Sequence, residues 1–182
     1  MNIALYGGSF DPPHIGHIAV VQKALQTLDI EKVIVMPAYR NPFKRSASAP
    51  ADKRMAWLRA AFDDPRIEIS DFEILQNRAV KTIESVFYLQ KRYEKIYLIV
   101  GADNLASLPR WHEYEKLRTL VEFVIAARDT VAIPKEYLTL PVNVTISSSE
   151  LRRKPRREYL PKSVADDIIH YYTTKEQSAK KS

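Results

Sequence analysis

Two short apolar runs in this chain are each followed at once by glycine and polar residues. Residues 3–6 lead into Gly7 and Gly8, and residues 96–100 lead into Gly101. A short run that is apolar almost throughout is typical of a buried parallel strand. In an open α/β sheet, ligands bind at the carboxyl ends of such strands. The two runs therefore predict a parallel sheet with a ligand site at this edge.

Strand and helix patterns alternate along the chain. Apolar runs predict strands at residues 3–6, 32–37, 67–69, 96–100, 121–127 and 142–146. Helical periodicity predicts helices at residues 15–28, 52–62, 81–93 and 162–172. This alternation is typical of a Rossmann-like open parallel sheet with helices on both faces and right-handed crossovers. Residues 39–51, rich in proline and serine, are of a length typical of binding loops.

Length and composition restrict the domain organisation and the class of protein. The 182 residues, 46% of them apolar, predict one domain over residues 1–182, with 174–182 as a flexible polar tail. No stretch approaches the roughly 20 apolar residues that span a bilayer, and there is no signal-peptide pattern. We therefore expect a soluble, cytoplasmic protein that does not bind membranes. The absence of cysteine excludes disulfides, thiolate catalysis and cysteine-held metals.

The positive charge of the chain is concentrated near residues 152–157. The formal net charge is +6, and five of these six residues are lysine or arginine. Such a balance suits nucleic acid, an anionic membrane or a small polyanionic substrate. A solvated charged surface explains positions 153–157 equally well. Arg152 differs from them because it closely follows three serines.

The segment GGSFDPPHIGH at residues 7–17 holds three of the four glycines and two of the four histidines. Glycines in so glycine-poor a chain predict backbone that turns with positive φ or comes close to a ligand. His14 and His17 flank the start of a predicted helix, where backbone amides and the helix dipole favour an anion. An imidazole there can donate to a phosphoryl oxygen and stabilise its charge. Helix capping or metal binding is the alternative, although no third metal ligand is in view.

The segment ISSSELR at residues 146–152 follows another predicted strand and can open a short helix. Helix capping explains one of its serines. Three hydroxyls with an arginine about one turn later also form an anion cradle, because a guanidinium grips two phosphate oxygens at once. Two such cradles at one edge of a parallel sheet suit a polyphosphate.

Together these two segments resemble the motifs of the nucleotidylyltransferase superfamily. Its hallmarks are His/Thr-x-Gly-His after the first strand and Ile-Ser-Ser-Thr-x-x-Arg near the C-terminus. Within it the chain is most similar to bacterial nicotinate-nucleotide adenylyltransferases. That narrower resemblance is carried by GADNL at 101–105, LPRWHEYEKL at 108–117 and LPKSV at 160–164. It covers residues 1–172 and implies a fold of the nucleotidylyltransferase type.

The resemblance implies transfer of the adenylyl group of ATP to the 5′-phosphate of nicotinate mononucleotide, without a covalent enzyme intermediate. Mg²⁺ would be held mainly by the triphosphate and not by a protein metal site. The implied ATP-binding residues are Gly7, Gly8, Ser9, Phe10, His14, His17, Gly101, Ser147, Ser149 and Arg152. The implied acceptor-binding residues are Lys44, Thr82, Asp103, Trp111, His112 and Arg128. The implied catalytic residues are His14, His17, Lys44 and Arg152.

The resemblance also implies individual roles. His17 would lie nearest the α-phosphate, and Ser147, Ser149 and Arg152 would hold the β- and γ-phosphates. Lys44 would reach the phosphates, and Thr82, Trp111 and His112 would surround the pyridine ring. From the residues alone, Lys44 could equally be a solvated loop cation and Trp111 a core tryptophan.

This chain departs from the usual family pattern at three places. Asn41-Pro42-Phe43-Lys44 stands where Pro-Pro-His-Lys is usual, so the loop histidine is missing. Val80-Lys81-Thr82 replaces Ser-Tyr-Thr, and Ser149 replaces a threonine with retention of the hydroxyl.

Other functions fit parts of the pattern. The acceptor could be nicotinamide mononucleotide or phosphopantetheine; enzymes for the latter usually lack the Leu-Pro-x-Trp-His segment. A non-catalytic nucleotide- or RNA-binding regulator would use the same fold and the basic run. We expect an enzyme that binds ATP and nicotinate mononucleotide but not nucleic acid, as a monomer or homodimer.

Overall fold

The computed structural model describes residues 1–39, 49–128 and 131–181. Its strands are β1 (Asn2–Gly8), β2 (Lys32–Pro37), β3 (Ile67–Ile69), β4 (Lys95–Gly101), β5 (Glu122–Ala127) and β6 (Leu138–Pro141). Its α-helices are α1 (Ile15–Thr27), α2 (Ala51–Ala61), α3 (Phe72–Leu75), α4 (Thr82–Gln90), α5 (Tyr114–Leu120), α6 (Ser148–Arg153) and α7 (Ala165–Lys181). Two 3₁₀ helices span Ala102–Arg110 and Arg157–Tyr159.

The six strands form one sheet in the order β3-β2-β1-β4-β5-β6, and every neighbouring pair is parallel. This is the strand order of the Rossmann fold, in which the direction of winding reverses between β1 and β4. The predicted fold class is therefore confirmed. The carboxyl ends of β1 and β4 lie side by side at the point of reversal, where open α/β sheets bind ligands.

Side chains of the strands enter two different hydrophobic clusters in alternation. In β1, Ile3 and Leu5 belong to one cluster and Ala4 to the other. Neighbouring residues of β4 divide in the same way, with Leu98 in the first cluster and Ile99 in the second. Since successive side chains of a strand point to opposite faces, the sheet is buried on both faces. This explains why these strands read as almost continuous apolar runs.

The last predicted strand is wrong. A strand was expected at 142–146, whereas β6 ends at Pro141, which pairs with the last residue of β5, Ala127. The following apolar residues pass beyond the edge of the sheet. Val142 and Val144 line a cleft there, and Ile146 enters a third hydrophobic cluster beneath α6 and α7. Their alternation therefore reflects packing outside the hydrogen-bonded ladder.

The helix predictions were right in position and less accurate in extent. Helix α4 is shorter than the expected 81–93, and α3 and α5 were not predicted. Helix α7 continues to Lys181 instead of ending at residue 172. Its last turns carry good helix formers and an ion pair of 2.9 Å between Lys180 and Glu176. The flexibility of residues 174–182 stays a prediction. Among the described helices, none has the length and apolarity needed to cross a membrane.

Truncation of a core leucine in the central strand β4 should destabilise the fold. Leu98 is 3% exposed, so Leu98→Ala should lower the free energy of unfolding by about 2–5 kcal/mol, measured by urea denaturation. Leu75→Ala is the matched control, because Leu75 is 65% exposed and its loss should change stability by no more than about 0.5 kcal/mol. Equal effects of the two substitutions would contradict the assigned core.

Candidate active site

The glycines of the first motif do not supply positive φ, which was one of the two roles expected of them. Gly8 and Gly16 allow close packing, and close approach to a ligand stays a prediction. None of the glycines has a positive φ; Phe10 adopts it instead, at 49°. A Cβ on Gly8 would lie 3.3 Å from the Phe10 ring, and one on Gly16 would lie 2.8 Å from the His14 ring. Phe10, 2% exposed, also packs edge-on against His17. Because these glycines have no side chain, the rings of Phe10 and His14 can pack directly against the backbone of the motif.

The two histidines of the motif lie stacked at the start of α1. Their ring centroids are 3.7 Å apart and their planes differ by 23°. The His14 Nδ1 accepts from the Gly16 amide at 3.0 Å, and the His17 Nδ1 accepts from the His14 amide at 3.0 Å. Because each Nδ1 is an acceptor, the proton of each neutral ring is on Nε2. The N–H donor of each neutral imidazole is therefore at Nε2.

Burial, and then the nearby charge of Arg128, lowers the pKa of His14 to about 4. At neutral pH this ring is therefore uncharged. It can donate a hydrogen bond to a phosphoryl oxygen, but it is not a reservoir of positive charge.

A cleft opens at the carboxyl edge of the sheet where β1, β4 and β5 end. The predicted site residues that line it are His14, His17, Gly101, Asp103 and Arg128. Tyr6, Val142 and Val144 also line it and were missed. The position of Tyr6 at the end of the first apolar run was a usable signal, whereas the valines were assigned to a strand. The structure thus brings residues from separate strands into one cavity, as the parallel sheet requires.

Arg128 links the end of β5 to two other parts of the cleft. Its Nη1 lies 3.4 Å from Asp103 Oδ2, and its Nη2 donates to the carbonyl of Ile146 at 3.3 Å. Both side chains of the ion pair are partly exposed, so its contribution to stability is small. Its effect is to orient a cation and a carboxylate at the rim of the cleft.

The second motif contacts the first directly. Arg152 donates from Nη1 to the carbonyl of Asp11 at 2.8 Å, and Ser148 donates to the carbonyl of Pro12 at 2.9 Å. Arg152 Nη2 also donates to Ser149 Oγ at 3.2 Å. Ser147 is the N-cap of α6 and accepts from the Glu150 amide. The two predicted anion cradles are therefore adjacent. Ser148 was predicted as one of three hydroxyls of the second cradle, whereas its hydrogen bond to the first motif is seen only in the tertiary structure.

The remaining acceptor residues lie outside the set that lines this cleft among the described residues. Thr82 is the first residue of α4, and Trp111 is half-buried against the core cluster that contains Ile83. His112 is exposed, with Nε2 3.3 Å from Glu113 Oε2. Arrangement of these side chains around a pyridine ring stays a prediction. Lys44 falls outside the described residues.

One electrostatic link connects the start of α4 with the segment after the first 3₁₀ helix. The pKa of Glu84 is lowered to about 2, mainly by hydrogen bonds from Arg78 and the Lys81 amide, and in smaller part by the charge of His112. His112 therefore lies within electrostatic range of Glu84 in the first turn of α4.

Within residues 1–39, 49–128 and 131–181, no group of three or more His, Asp or Glu side chains is placed to hold a metal ion. Histidine and arginine donors at the cleft suit the oxygens of a phosphate instead.

Comparison with known proteins gives this geometry a class. Residues 5–154 match the family model described as cytidylyltransferase-like. A relative from Sulfurimonas denitrificans, named "Probable nicotinate-nucleotide adenylyltransferase", is 49% identical over 93% of this chain and 94% of its own. Relatives of the same name from Nitratiruptor sp. and Campylobacter jejuni are 48% and 49% identical over 94% of this chain, and over 99% and 97% of their own. The chain therefore belongs to the nicotinate-nucleotide adenylyltransferase family.

Solved structures share the fold. A Plasmodium falciparum nicotinic acid mononucleotide adenylyltransferase complexed with NaAD has a TM-score of 0.75 and 24% identity, covering 94% of this chain and 97% of its own. A putative nicotinate-nucleotide adenylyltransferase from Vibrio parahaemolyticus has a TM-score of 0.71 and 19% identity, covering 92% and 98%. At these identities the likeness concerns the arrangement of the backbone.

Titration of His14 tests the burial of its ring. Its imidazole signals in NMR spectra should shift with a midpoint at about pH 4, below the ordinary value of 6.5. Because the folded pKa lies below the unfolded one, the unfolded chain binds more protons between these values. The free energy of unfolding should therefore fall as the pH drops from 6.5 towards 4. A midpoint near 6.5 would show that the ring is solvated.

Proposed function

We propose that this protein transfers the adenylyl group of ATP to the 5′-phosphate of nicotinate mononucleotide, forming nicotinate adenine dinucleotide and pyrophosphate. The observation that best supports it is the contact of Arg152 and Ser148 with the carbonyls of Asp11 and Pro12. That contact places the two anion cradles next to each other, as binding of one polyphosphate requires. The names of relatives at 48–49% identity support the choice of acceptor.

In the proposed reaction, an oxygen of the acceptor 5′-phosphate attacks the α-phosphorus of ATP. The bond from that phosphorus to the oxygen bridging to the β-phosphate breaks, and pyrophosphate leaves with the bonding electrons. No side chain forms a bond to phosphorus, so catalysis consists of positioning and charge stabilisation.

His14 and His17 supply the donors nearest the reacting phosphate in this proposal. Each Nδ1 accepts from a backbone amide, which fixes the ring and places the proton of the neutral imidazole on Nε2. A preorganised donor of this kind stabilises negative charge as it builds up on a phosphoryl oxygen.

Arg152, Ser147 and Ser149 hold the β- and γ-phosphates in this proposal. The guanidinium of Arg152 is already oriented by Asp11 and Ser149, so little freedom is lost when phosphate binds.

The backbone at and after the strand ends borders the nucleotide in this proposal, at Gly7, Gly8, Ser9, Phe10 and Gly101. Lys44 keeps its proposed role as a further phosphate contact. When bound with ATP, Mg²⁺ would neutralise part of the triphosphate charge, and no protein-ligated metal is proposed.

Asp103, Arg128, Thr82, Trp111 and His112 form the proposed acceptor side. The ion pair of Asp103 and Arg128 at the rim of the cleft suits a ribose hydroxyl and a phosphate. Trp111 is only half-buried, so part of its large ring remains accessible for stacking on an aromatic base.

Product analysis tests the reaction and the acceptor together. With ATP, Mg²⁺ and nicotinate mononucleotide, chromatography should show nicotinate adenine dinucleotide and pyrophosphate in equal amounts. Nicotinamide mononucleotide, assayed side by side, should give a lower kcat/KM. Equal values would overturn the choice of the acid, and no product with either acceptor would overturn the enzyme itself. Salt-sensitive RNA binding without product would favour the regulator.

Substitution of His17 tests its role as a phosphate donor. His17→Ala should lower kcat by about 100- to 1,000-fold, as expected for loss of one preorganised donor, with a much smaller change in ATP affinity by calorimetry. The matched control is His170→Ala, because His170 is exposed on α7 and should leave turnover unchanged. A His17→Ala protein that is folded and turns over normally would remove His17 from the mechanism.

A further inference from the structure

A carboxylate lies fully buried within the first motif. Asp11 is 0% exposed, and its Oδ1 accepts from the Ala49 amide at 3.1 Å and from the hydroxyl of Tyr172. Its Oδ2 has no hydrogen-bond partner in the described part of the chain. A buried carboxylate is costly unless it is compensated by donors and by positive charge. The residues around Asp11 must therefore supply these donors and this positive charge.

Two cations lie within electrostatic range of Asp11, namely Arg54 in α2 and Lys175 in α7. Arg54 is 3% exposed, and the charge of Asp11 opposes the lowering of its pKa by burial. Its guanidinium donates at 2.8–3.0 Å to the carbonyls of Ser9, Ala38, Tyr39 and Ala49. These carbonyls come from the first motif, the chain after β2 and the chain before α2. The Arg54 side chain therefore connects the first motif to these two other segments by hydrogen bonds to their backbone carbonyls.

The second donor to Asp11 comes from the last helix, α7. Tyr172 is 4% exposed and belongs to the hydrophobic cluster formed with Trp57 and Leu151. Burial, and then the charge of Asp11, raises the pKa of the Tyr172 hydroxyl far above its usual value. The hydroxyl is therefore a permanent donor to the carboxylate. Trp57 Nε1 donates to Asp167 at 2.6 Å, which holds α7 against α2.

Asp11 also joins this buried network to the phosphate-binding surface. Its side chain accepts hydrogen bonds from the Tyr172 hydroxyl and the Ala49 amide. Its backbone carbonyl accepts one from Arg152 at 2.8 Å. His14 follows three residues later. A displacement of Asp11 would therefore move the carbonyl that orients Arg152 and the backbone that leads to His14.

We propose that Tyr172 and Arg54 are positioning residues for adenylyl transfer. Tyr172 acts through the carboxylate of Asp11 and Arg54 acts through the carbonyl of Ser9, and together they set Arg152 against His14 and His17. The inference rests on the proposed function. Neither residue is assigned a contact with substrate. Their effect is geometric: reaction between phosphates requires alignment of the reacting atoms, and small displacements of the groups that hold them are costly in rate.

Tyr172→Phe tests this role by removal of one hydroxyl. We expect kcat for dinucleotide formation to fall by about 10- to 100-fold, with the KM for nicotinate mononucleotide unchanged. The matched control is Tyr171→Phe. Tyr171 is the neighbouring residue of α7 and its ring packs edge-on against that of Tyr172, whereas the hydrogen bond to Asp11 Oδ1 comes from the Tyr172 hydroxyl. This control should retain the kcat of the wild type.

The melting temperature of each variant separates positioning from simple stabilisation. A merely structural hydroxyl would lower the melting temperature and leave kcat unchanged at temperatures where the protein is fully folded. Folded Tyr172→Phe with the kcat of Tyr171→Phe would overturn the proposal. If Tyr172→Phe does not fold, Asp11→Asn, which keeps the side-chain shape, should show the same loss of kcat at unchanged KM. Normal turnover by that variant, or its failure to fold as well, would also overturn the proposal.

The wild-type protein in the same assay separates this inference from the proposed function. Wild-type turnover tests the function itself, and the ratio of variant to wild-type kcat tests the positioning role. If the wild type forms no dinucleotide, the proposed function fails, and the positioning role fails with it.

Discussion

The short contact between helix α6 and the Asp11-Pro12 backbone decides whether this chain has one anion site or two unrelated ones. Ser148 and Arg152 reach back over 136 and 141 residues to donate to two successive carbonyls. A helix of six residues is too short to be stable alone in water. It is stabilised here by its serine cap, by burial of Leu151 and by these two hydrogen bonds. The same bonds that stabilise α6 therefore complete the proposed phosphate site.

The sheet supplies the other half of the arrangement. Parallel strands all end at one edge, and the reversal of winding between β1 and β4 leaves a cleft at that edge. The cleft is lined by the histidines at the start of α1 and by the Asp103–Arg128 pair, which follows the ends of β4 and β5. These residues are far apart in the sequence but meet because the strands end at the same edge. The polar residues of the cleft thus lie at the sheet edge, while the strands contribute the apolar core.

Those features that depend on local pattern could be predicted from the sequence. The strands at 32–37 and 67–69 were predicted with the observed bounds, because apolar runs and flanking breakers define them. Strand β6 was misplaced, since Val142, Val144 and Ile146 alternate without entering the ladder. Of the five cleft residues that were predicted, Gly101, Asp103 and Arg128 lie at or next to strand ends, and His14 and His17 lie at the start of the helix that follows β1. Arg54, Tyr172 and the contact of Ser148 with the first motif could not be found in this way, because each depends on a partner at least 45 residues away, as the contacts with Ser9, Asp11 and Pro12 show.

The hydrogen bond between Tyr172 and Asp11 joins positions that are 161 residues apart. During translation, the ribosome therefore completes the segment 7–17 long before its buried carboxylate can meet this donor. A nascent chain without α7 lacks the Tyr172 hydroxyl that donates to Asp11, and it lacks the residues that α7 contributes to the third hydrophobic cluster. The surroundings of the first motif are therefore completed only when the last helix of the chain has been made and packed.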